Sequence, residues 1–187
     1  MTQRRRISLY IGDVVSSREP RILCTVLGSC IAACLRDPVT RVGGMNHFTL
    51  PTPSGPNAGE EMARFGVNAM ERLIGEIQKL GGERERLEAK IFGGGHVMDL
   101  PLSGESVAQR NVVFIQEFLQ SERIPVVARD LGGTQARQIM FYSDTGSVLL
   151  KRLGNSRGQV GRAVERAWQT QPPAPAPTTM DVTWFGD

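Results

Sequence analysis

The fold is decided by LGSCIAACLRDPVTRVGGMNH, residues 27–47, which predicts a β-hairpin. Two apolar strands flank a loop that begins Asp37-Pro38, and Asp followed by Pro suits the first two positions of a type I turn. If the loop is symmetric about Pro38–Val39, residues whose numbers add to 77 pair across the hairpin. Cys30 and His47 then face each other, with Cβ atoms roughly 4.5–5.5 Å apart. That spacing suits a thiol nucleophile and the imidazole that deprotonates it.

Two other interpretations of this pair stay open. A β-bulge, which Gly43-Gly44 could host, shifts the register by one residue and sends one side chain to the other face. The alternative is a structural one, in which Cys30 is buried in a strand and His47 stands at the end of the next. Free cysteine is among the most buried residue types, so a purely structural role for Cys30 is as well supported by this pattern as a catalytic one.

Length and composition bound the class of protein. A chain of 187 residues suits one domain with a core of its own, and 40% hydrophobic with 22% charged residues is ordinary for a globular protein. No apolar run approaches the ~20 residues that span a membrane. The arginine-rich segment Met1 to Arg6 is not followed by the apolar core of a signal peptide. We therefore expect a cytoplasmic protein.

Cysteine, histidine and charge patterns exclude several kinds of site. The three cysteines, Cys24, Cys30 and Cys34, form an odd set without an export signal, which predicts reduced thiols. His47 and His96 are far apart and no C-x-x-C pair exists, so we expect no metal and no cofactor. A net charge of +3 with 6% aromatics argues against nucleic-acid binding and favours an acidic protein partner. Nothing demands an oligomer, so we expect a monomer.

The periodicity of the remaining chain predicts further strands and two helices. Helical spacing of apolar residues covers 60–80, ending at Gly81-Gly82, and 107–122. Strands are predicted at 7–15, 22–26, 87–92 and 124–129, with a closing hairpin at 137–142 and 148–152. This order predicts an α+β fold, with helices over a largely antiparallel sheet.

The chain changes in character from Gln171, after a last predicted helix. A short helix is predicted at 160–168, and a Pro/Ala-rich linker leads to an acidic-aromatic end at 181–187. We expect a domain at 1–170 and a tail at 171–187. The tail either docks a partner or covers a patch on its own domain. A second proline-rich stretch, 51–57, is predicted to rim the site just after His47.

Several segments resemble one family, the chemoreceptor glutamine deamidases called CheD. They are TVLGSC at 25–30, Asp37-Pro38, GMNHFTLP at 44–51, EAKIFGG at 88–94, Arg110-Asn111, and DLGG at 130–133 through Arg137. The segments fall in order within residues 7–153. The resemblance implies layered, largely antiparallel β-sheets with flanking helices, as in the cysteine hydrolases of the cytotoxic-necrotizing-factor type.

The resemblance also implies an activity. Such enzymes are protein-glutamine glutaminases that convert receptor glutamines to glutamate in bacterial chemotaxis. It assigns the nucleophile to Cys30 and the base to His47, with chemoreceptor cytoplasmic domains as substrate and a CheC-type phosphatase as a further partner. The same acyl chemistry would hydrolyse a γ-glutamyl methyl ester. The alternative is a regulatory binding protein for receptors or for CheC, with weak catalysis or none.

The third catalytic position departs from the family pattern. The family's threonine, six residues before the nucleophile, is Cys24 here, and Thr25 follows it. A local bulge could restore Thr25, Cys24 could replace it, or the third group could be dispensable; Thr25 is the candidate. Oxyanion donors are expected from Gly28-Ser29-Cys30 or from Gly93–Gly95, which also suits a plain strand-to-loop turn. His96 is either a second imidazole of the cleft or an exposed loop residue.

Overall fold

The computed structural model describes residues 4–51, 57–97, 106–154 and 182–184. Within them the chain forms two α-helices, a short 3-10 helix (Arg84–Arg86) and two five-stranded sheets. The first sheet has the order β1-β3-β8-β9-β10 and the second the order β2-β5-β4-β6-β7. The strands are β1 (Arg5–Ser8), β2 (Val14–Ser17), β3 (Arg21–Leu27), β4 (Ile31–Arg36), β5 (Gly43–Phe48), β6 (Glu88–Gly93), β7 (Val126–Leu131), β8 (Arg137–Tyr142), β9 (Val148–Arg152) and β10 (Val182–Trp184). The helices are α1 (Ala58–Lys79) and α2 (Val107–Ser121).

The molecule has three layers, because the second sheet is apolar on both faces. Odd-numbered residues of β4, such as Ile31 and Leu35, pack against the two helices in one core cluster. Even-numbered residues, such as Ala32 and Cys34, pack against the first sheet in another. Most strand pairs are antiparallel, and three are parallel. The predicted α+β class with layered, largely antiparallel sheets is confirmed.

The N-terminal strand prediction is wrong in one respect. A single strand was expected over 7–15, but the chain turns between β1 and β2, which belong to different sheets. The turn passes through Gly12 at φ 93°, a left-handed conformation that glycine adopts without a Cβ penalty. The Asp13 carboxylate accepts the Tyr10 N–H at 2.8 Å and holds the turn. The two halves of this segment therefore flank the site from two sheets.

The hairpin forms as predicted, but its register differs by two residues. Ile31 pairs with Phe48 and Arg36 with Gly43, so paired numbers add to 79 rather than 77. The connecting loop holds six residues, 37–42, because the buried Asp37 carboxylate accepts the N–H groups of residues 39 and 40 and of Glu83. Burial works to raise the pKa of Asp37, but hydrogen bonds from Arg86 and these N–H groups hold it well below its ordinary value.

Both predicted helices are present within two residues of their expected bounds. The Ser106 hydroxyl accepts the Gln109 N–H at 3.1 Å and caps the start of α2. Gly81, at φ 91°, follows the end of α1 as expected for a glycine C-cap. Phe65, one of the apolar residues at helical spacing in α1, is 48% exposed and so does not pack into the core as that spacing predicts. Neither helix is long and apolar enough to cross a membrane, a statement that covers the described residues alone.

Part of the predicted tail lies in the first sheet. Strand β10 runs parallel to β9, with Val182 beside Val148. This arrangement fits the interpretation in which the tail covers its own domain. The predicted helix at 160–168, the linker and most of the proline-rich rim at 51–57 lie outside the described residues.

Candidate functional site

The Cys30 loop, Gly28–Cys30, connects β3 in the first sheet to β4 in the second. Two backbone hydrogen bonds hold it: Gly94 N–H donates to the Cys30 carbonyl and Gly95 N–H to the Gly28 carbonyl, each at 2.8 Å. These donors are therefore occupied by the loop itself. The expectation that Gly93–Gly95 supplies oxyanion donors is wrong for Gly94 and Gly95, whose role here is to support Cys30.

Gly93 is required where it stands. Its φ of 116° is unfavourable for any residue with a side chain, and a Cβ there would collide with the carbonyl oxygen of Cys30. The glycine lets β6 end directly under the Cys30 loop. The position of the thiol thus depends on a backbone contact with no room for one added methyl group.

His47 lies on β5 and is 5% exposed. Its Nδ1 is 2.8 Å from the Thr25 hydroxyl oxygen, which is itself 2.9 Å from the Leu9 carbonyl oxygen. A carbonyl only accepts, so the single hydroxyl proton goes to Leu9 and the Thr25 oxygen accepts from Nδ1–H. This places the imidazole proton on Nδ1. The buried Nε2, which has no hydrogen-bond partner among the described residues, keeps a free lone pair to take a proton.

The register error changes the relation between Cys30 and His47, but not the face they share. Because β5 shifts by two residues, His47 pairs with Ala32, and extension of the ladder by one residue sets Cys30 opposite Thr49. A shift of two keeps every side chain on its face. Cys30 packs against the same core cluster as Ala32 and Met45, on the side that faces the first sheet. Cys30 and His47 are thus diagonal rather than direct neighbours.

The regular pairing of β3 with β8 fixes which faces of the strand Cys24 and Thr25 occupy. All residues from Ile22 to Leu27 of β3 pair in sequence with β8, so no bulge intervenes. Thr25 faces the second sheet and contacts His47. Cys24 points the other way into a separate cluster, where Arg6 Nε donates to its sulfur at 3.2 Å. Of the two, Thr25 alone takes the place of a third group beside the imidazole.

Burial makes both candidate reacting groups prefer their neutral forms. It raises the pKa of the Cys30 thiol, a shift that hydrogen bonds with the Thr49 and Ser29 hydroxyls oppose. It lowers the pKa of His47, a shift that the Leu9 carbonyl and the charge of Asp13 partly offset. The resting arrangement is therefore a thiol next to a neutral imidazole.

A cavity of about 210 Å³ lies beside His47 and Thr25. Its walls are mostly apolar and come from both sides of β3, from β1 and from the turn after it. The residues that line it are Arg6, Ser8, Leu9, Tyr10, Ile11, Cys24, Thr25, Val26, His47 and Gln138. Tyr10 and Ile11, at its edge, are more than half exposed.

The remaining sequence predictions concern His96, metal binding and the cysteines. His96 is exposed, and its Nδ1 is 3.3 Å from the Ser106 hydroxyl, which agrees with a loop position. In the parts of the chain that are described, no group of three His, Cys, Asp or Glu residues could hold a metal ion. The cysteines Cys24, Cys30 and Cys34 are free, as predicted.

Two contributors to the site, Asn111 and Thr49, received no side-chain role from the sequence. Asn111 is fully buried on α2 and its Nδ2 donates to the Ser29 carbonyl at 2.8 Å and to the Thr49 hydroxyl oxygen at 3.1 Å. Its contacts span 61 residues or more along the chain, so no local spacing could reveal them. The one signal was that both residues fall inside segments that carry the family resemblance.

A thiol and an oriented imidazole share one face of a sheet, with a hydroxyl that fixes the imidazole, and nucleophilic cysteine hydrolases use groups of these kinds. The family model described as CheD chemotactic sensory transduction matches residues 49–152. The chain belongs to the CheD family, and the resemblance seen in the sequence is confirmed.

Curated relatives agree with this assignment. A Chromobacterium violaceum protein named "Probable chemoreceptor glutamine deamidase CheD 2" is 48% identical over 80% of this chain and 75% of its own length. A Shewanella oneidensis protein named "Probable chemoreceptor glutamine deamidase CheD 1" is 44% identical over 81% and 74%. Among solved structures, a hypothetical protein, YfiH, of Bacillus licheniformis has a TM-score of 0.41 and 16% identity over 65% of this chain and 50% of that one.

Proposed function

We propose that this chain is a protein-glutamine glutaminase that deamidates glutamines of chemoreceptor cytoplasmic domains to glutamate, and so serves chemotactic adaptation. The observation that carries the proposal is the contact between the Thr25 hydroxyl and His47 Nδ1, at 2.8 Å. It leaves Nε2 of a neutral imidazole as the proton acceptor on the face shared with Cys30. Membership in a family whose relatives bear the name chemoreceptor glutamine deamidase supports the substrate.

The first half-reaction makes a thioester. His47 Nε2 takes the thiol proton as the Cys30 sulfur attacks the carboxamide carbon of the glutamine, and the carbonyl oxygen becomes an oxyanion. The N–H of Cys30 lies against its own sulfur, which puts it near the place where that oxyanion forms. The tetrahedral intermediate collapses, the C–N bond breaks, and the His47 imidazolium gives its proton to the departing ammonia.

The second half-reaction hydrolyses the thioester. His47 takes a proton from water as the water oxygen attacks the acyl carbon. The C–S bond then breaks, the thiolate regains its proton from His47, and the glutamate side chain is released. A γ-glutamyl methyl ester would pass through the same thioester, with methanol as the first leaving group.

Burial of both reacting groups suits this order of events. The resting thiol and imidazole are neutral, so the proton moves when the substrate arrives and charge develops on the carboxamide oxygen. Thr25 acts through His47: its oxygen accepts from Nδ1–H and stabilises the imidazolium that forms.

The alternative of a regulatory binding protein depended on the missing family threonine. Thr25, one residue later, hydrogen-bonds His47, and this contact supports catalysis over the binding-only alternative. Binding of a CheC-type phosphatase is compatible with catalysis and stays part of the proposal.

Mass spectrometry of a chemoreceptor cytoplasmic fragment, incubated with the protein, tests the proposal. The wild type should add ~1 Da per target glutamine, and Cys30→Ser and His47→Ala should add none, because the nucleophile and the base are separately essential. Cys34→Ala, which removes a fully buried thiol on the same strand face, is the matched control and should retain activity. Receptor binding without any mass change would favour the regulatory alternative.

A further inference from the structure

The Thr49 hydroxyl sits between two partners of different kinds. Extension of the β4–β5 ladder by one residue sets it opposite the Cys30 thiol, whose pKa it works to lower, and its oxygen is 3.1 Å from Asn111 Nδ2. A hydroxyl has one proton to donate and two lone pairs to accept with, whereas an amide NH₂ group only donates. The Thr49 oxygen therefore accepts from Asn111, and its proton is left for the sulfur of Cys30.

Other hydrogen bonds fix the orientation of the Asn111 amide, so Asn111 stays the donor and Thr49 the acceptor in the bond between them. Its other Nδ2 proton goes to the Ser29 carbonyl at 2.8 Å, and its Oδ1 accepts the Leu50 N–H at 2.8 Å. The Leu50 contact identifies Oδ1 as the acceptor and so fixes which end of the amide faces Thr49. The side chain is 0% exposed, so water does not compete for these bonds.

We propose that Thr49 donates the hydrogen bond that stabilises the Cys30 thiolate, and that Asn111 is the positioning residue that aims it. The proposal rests on Cys30 as the nucleophile of the proposed function and adds two residues to it. Burial makes the charged sulfur costly, and a donor fixed before reaction lowers that cost without reorganisation. Thr49 is partly exposed and next to the thiol, where an incoming carboxamide would also lie.

The pH dependence of Cys30 alkylation tests this without any receptor. Iodoacetamide reacts with the thiolate, and peptide mapping by mass spectrometry reads Cys30 separately from Cys24 and Cys34. Thr49→Val keeps the side-chain shape but loses the proton, so the midpoint of alkylation should rise by about one pH unit. Thr49→Ser keeps the hydroxyl and should restore the wild-type midpoint.

A double-mutant cycle tests the positioning role of Asn111. Asn111→Ala should raise the midpoint in the wild-type background and leave it unchanged in the Thr49→Val background, because its effect passes through the Thr49 hydroxyl. Ile115→Ala, a buried cavity variant one turn along α2, is the matched control for lost stability and should not move the midpoint. Labelling of the fully buried Cys34 reports any variant that unfolds.

The donor role of Thr49, the positioning role of Asn111 and the proposed function are each contradicted by a different result. An unchanged midpoint in Thr49→Val overturns the donor role, and this pair of variants decides it even if Asn111→Ala does not fold. An Asn111→Ala shift of equal size in both backgrounds overturns the positioning role. If the variants show these shifts but the wild-type protein deamidates no receptor, the proposed function is contradicted and this inference stands.

Discussion

Two threonines flank the site, and their hydroxyl groups work in opposite directions. Thr25 comes from the first sheet and accepts a hydrogen bond from His47, because its proton is taken by the Leu9 carbonyl. Thr49 follows β5 of the second sheet and has its oxygen occupied by Asn111, which leaves its proton for Cys30. In the proposed mechanism, one threonine therefore supports the base His47 and the other supports the thiolate of Cys30. What differs is the third partner.

The largest expected effect comes from disturbing the Cys30 side alone. Gly93→Ala would push the carbonyl of Cys30 and so displace the thiol, while Thr25 and His47 keep their contact. A misplacement near 1 Å at a reacting atom costs about 10²-fold in rate. We expect kcat/KM for receptor deamidation to fall by at least about that factor, measured by ammonia release.

The control for this variant is another glycine that has a positive φ but lies in a different turn. Gly146, at φ 77°, lies in the turn between β8 and β9, and Gly146→Ala should lower stability without a comparable loss of rate. Equal rate losses in both variants would mean that general destabilisation, and not the Cys30 loop, explains the effect.

A smaller loss is expected from the His47 side. Thr25→Val removes the acceptor of Nδ1–H, so the imidazole is free to move its proton to Nε2, the nitrogen that must accept. We expect kcat to fall about tenfold, with KM little changed, and Thr25→Ser to recover most of the loss. A Thr25→Val variant with full kcat would contradict the idea that Thr25 supports His47 during the reaction.

The pH profile should be broad, with a change of about twofold or less between pH 6.5 and 8.5. Burial lowers the pKa of His47 from its ordinary value near 6.5, so the neutral base persists below that pH. Burial raises the pKa of the Cys30 thiol, so the upper limb should lie above the ordinary value near 8.5. Stopped assays of kcat/KM from pH 5 to 10 would check this. An upper limb below pH 8 would contradict it.

The smallest effect is expected from a substitution of Cys24, the residue that precedes Thr25 in the sequence. Cys24 lies on the opposite face of β3, bonded to Arg6, so Cys24→Ala should leave kcat/KM within about twofold of the wild type. The same deamidation assay, run beside Thr25→Val, makes the comparison direct. A large loss in Cys24→Ala would revive Cys24 as the third group.

Much of the architecture could be predicted because it depends on local periodicity. The spacing of apolar residues predicted both helices, and strand-like segments around turn residues predicted the hairpins. The split between β1 and β2 was missed because the residues around it are mostly apolar, although Gly12-Asp13 is a turn signal that could have marked it. Assignment of its halves to two different sheets is a property of the tertiary fold.

The site shows the same limit at the level of single residues. Turn chemistry correctly predicted that Cys30 and His47 lie on one face of the hairpin. The register was wrong by two residues because the loop was assumed to be symmetric about Pro38–Val39. The contacts of the Asp37 carboxylate with its own loop and with Glu83 favour a longer one. Thr25 and Asn111 meet the hairpin only through long-range packing, so their contacts lay beyond any reading of spacing.

The pairing of β10 with β9 has a practical consequence for handling the protein. A shortened chain that ends near residue 170 lacks β10, so the N–H and C=O groups along one side of β9 lose their partner. Bare strand edges act as templates for pairing between molecules. Removing the C-terminal segment would therefore move the edge of the sheet from the three-residue β10 to the five-residue β9 and promote aggregation in concentrated solution, whereas keeping Val182–Trp184 leaves only a short strand at that edge.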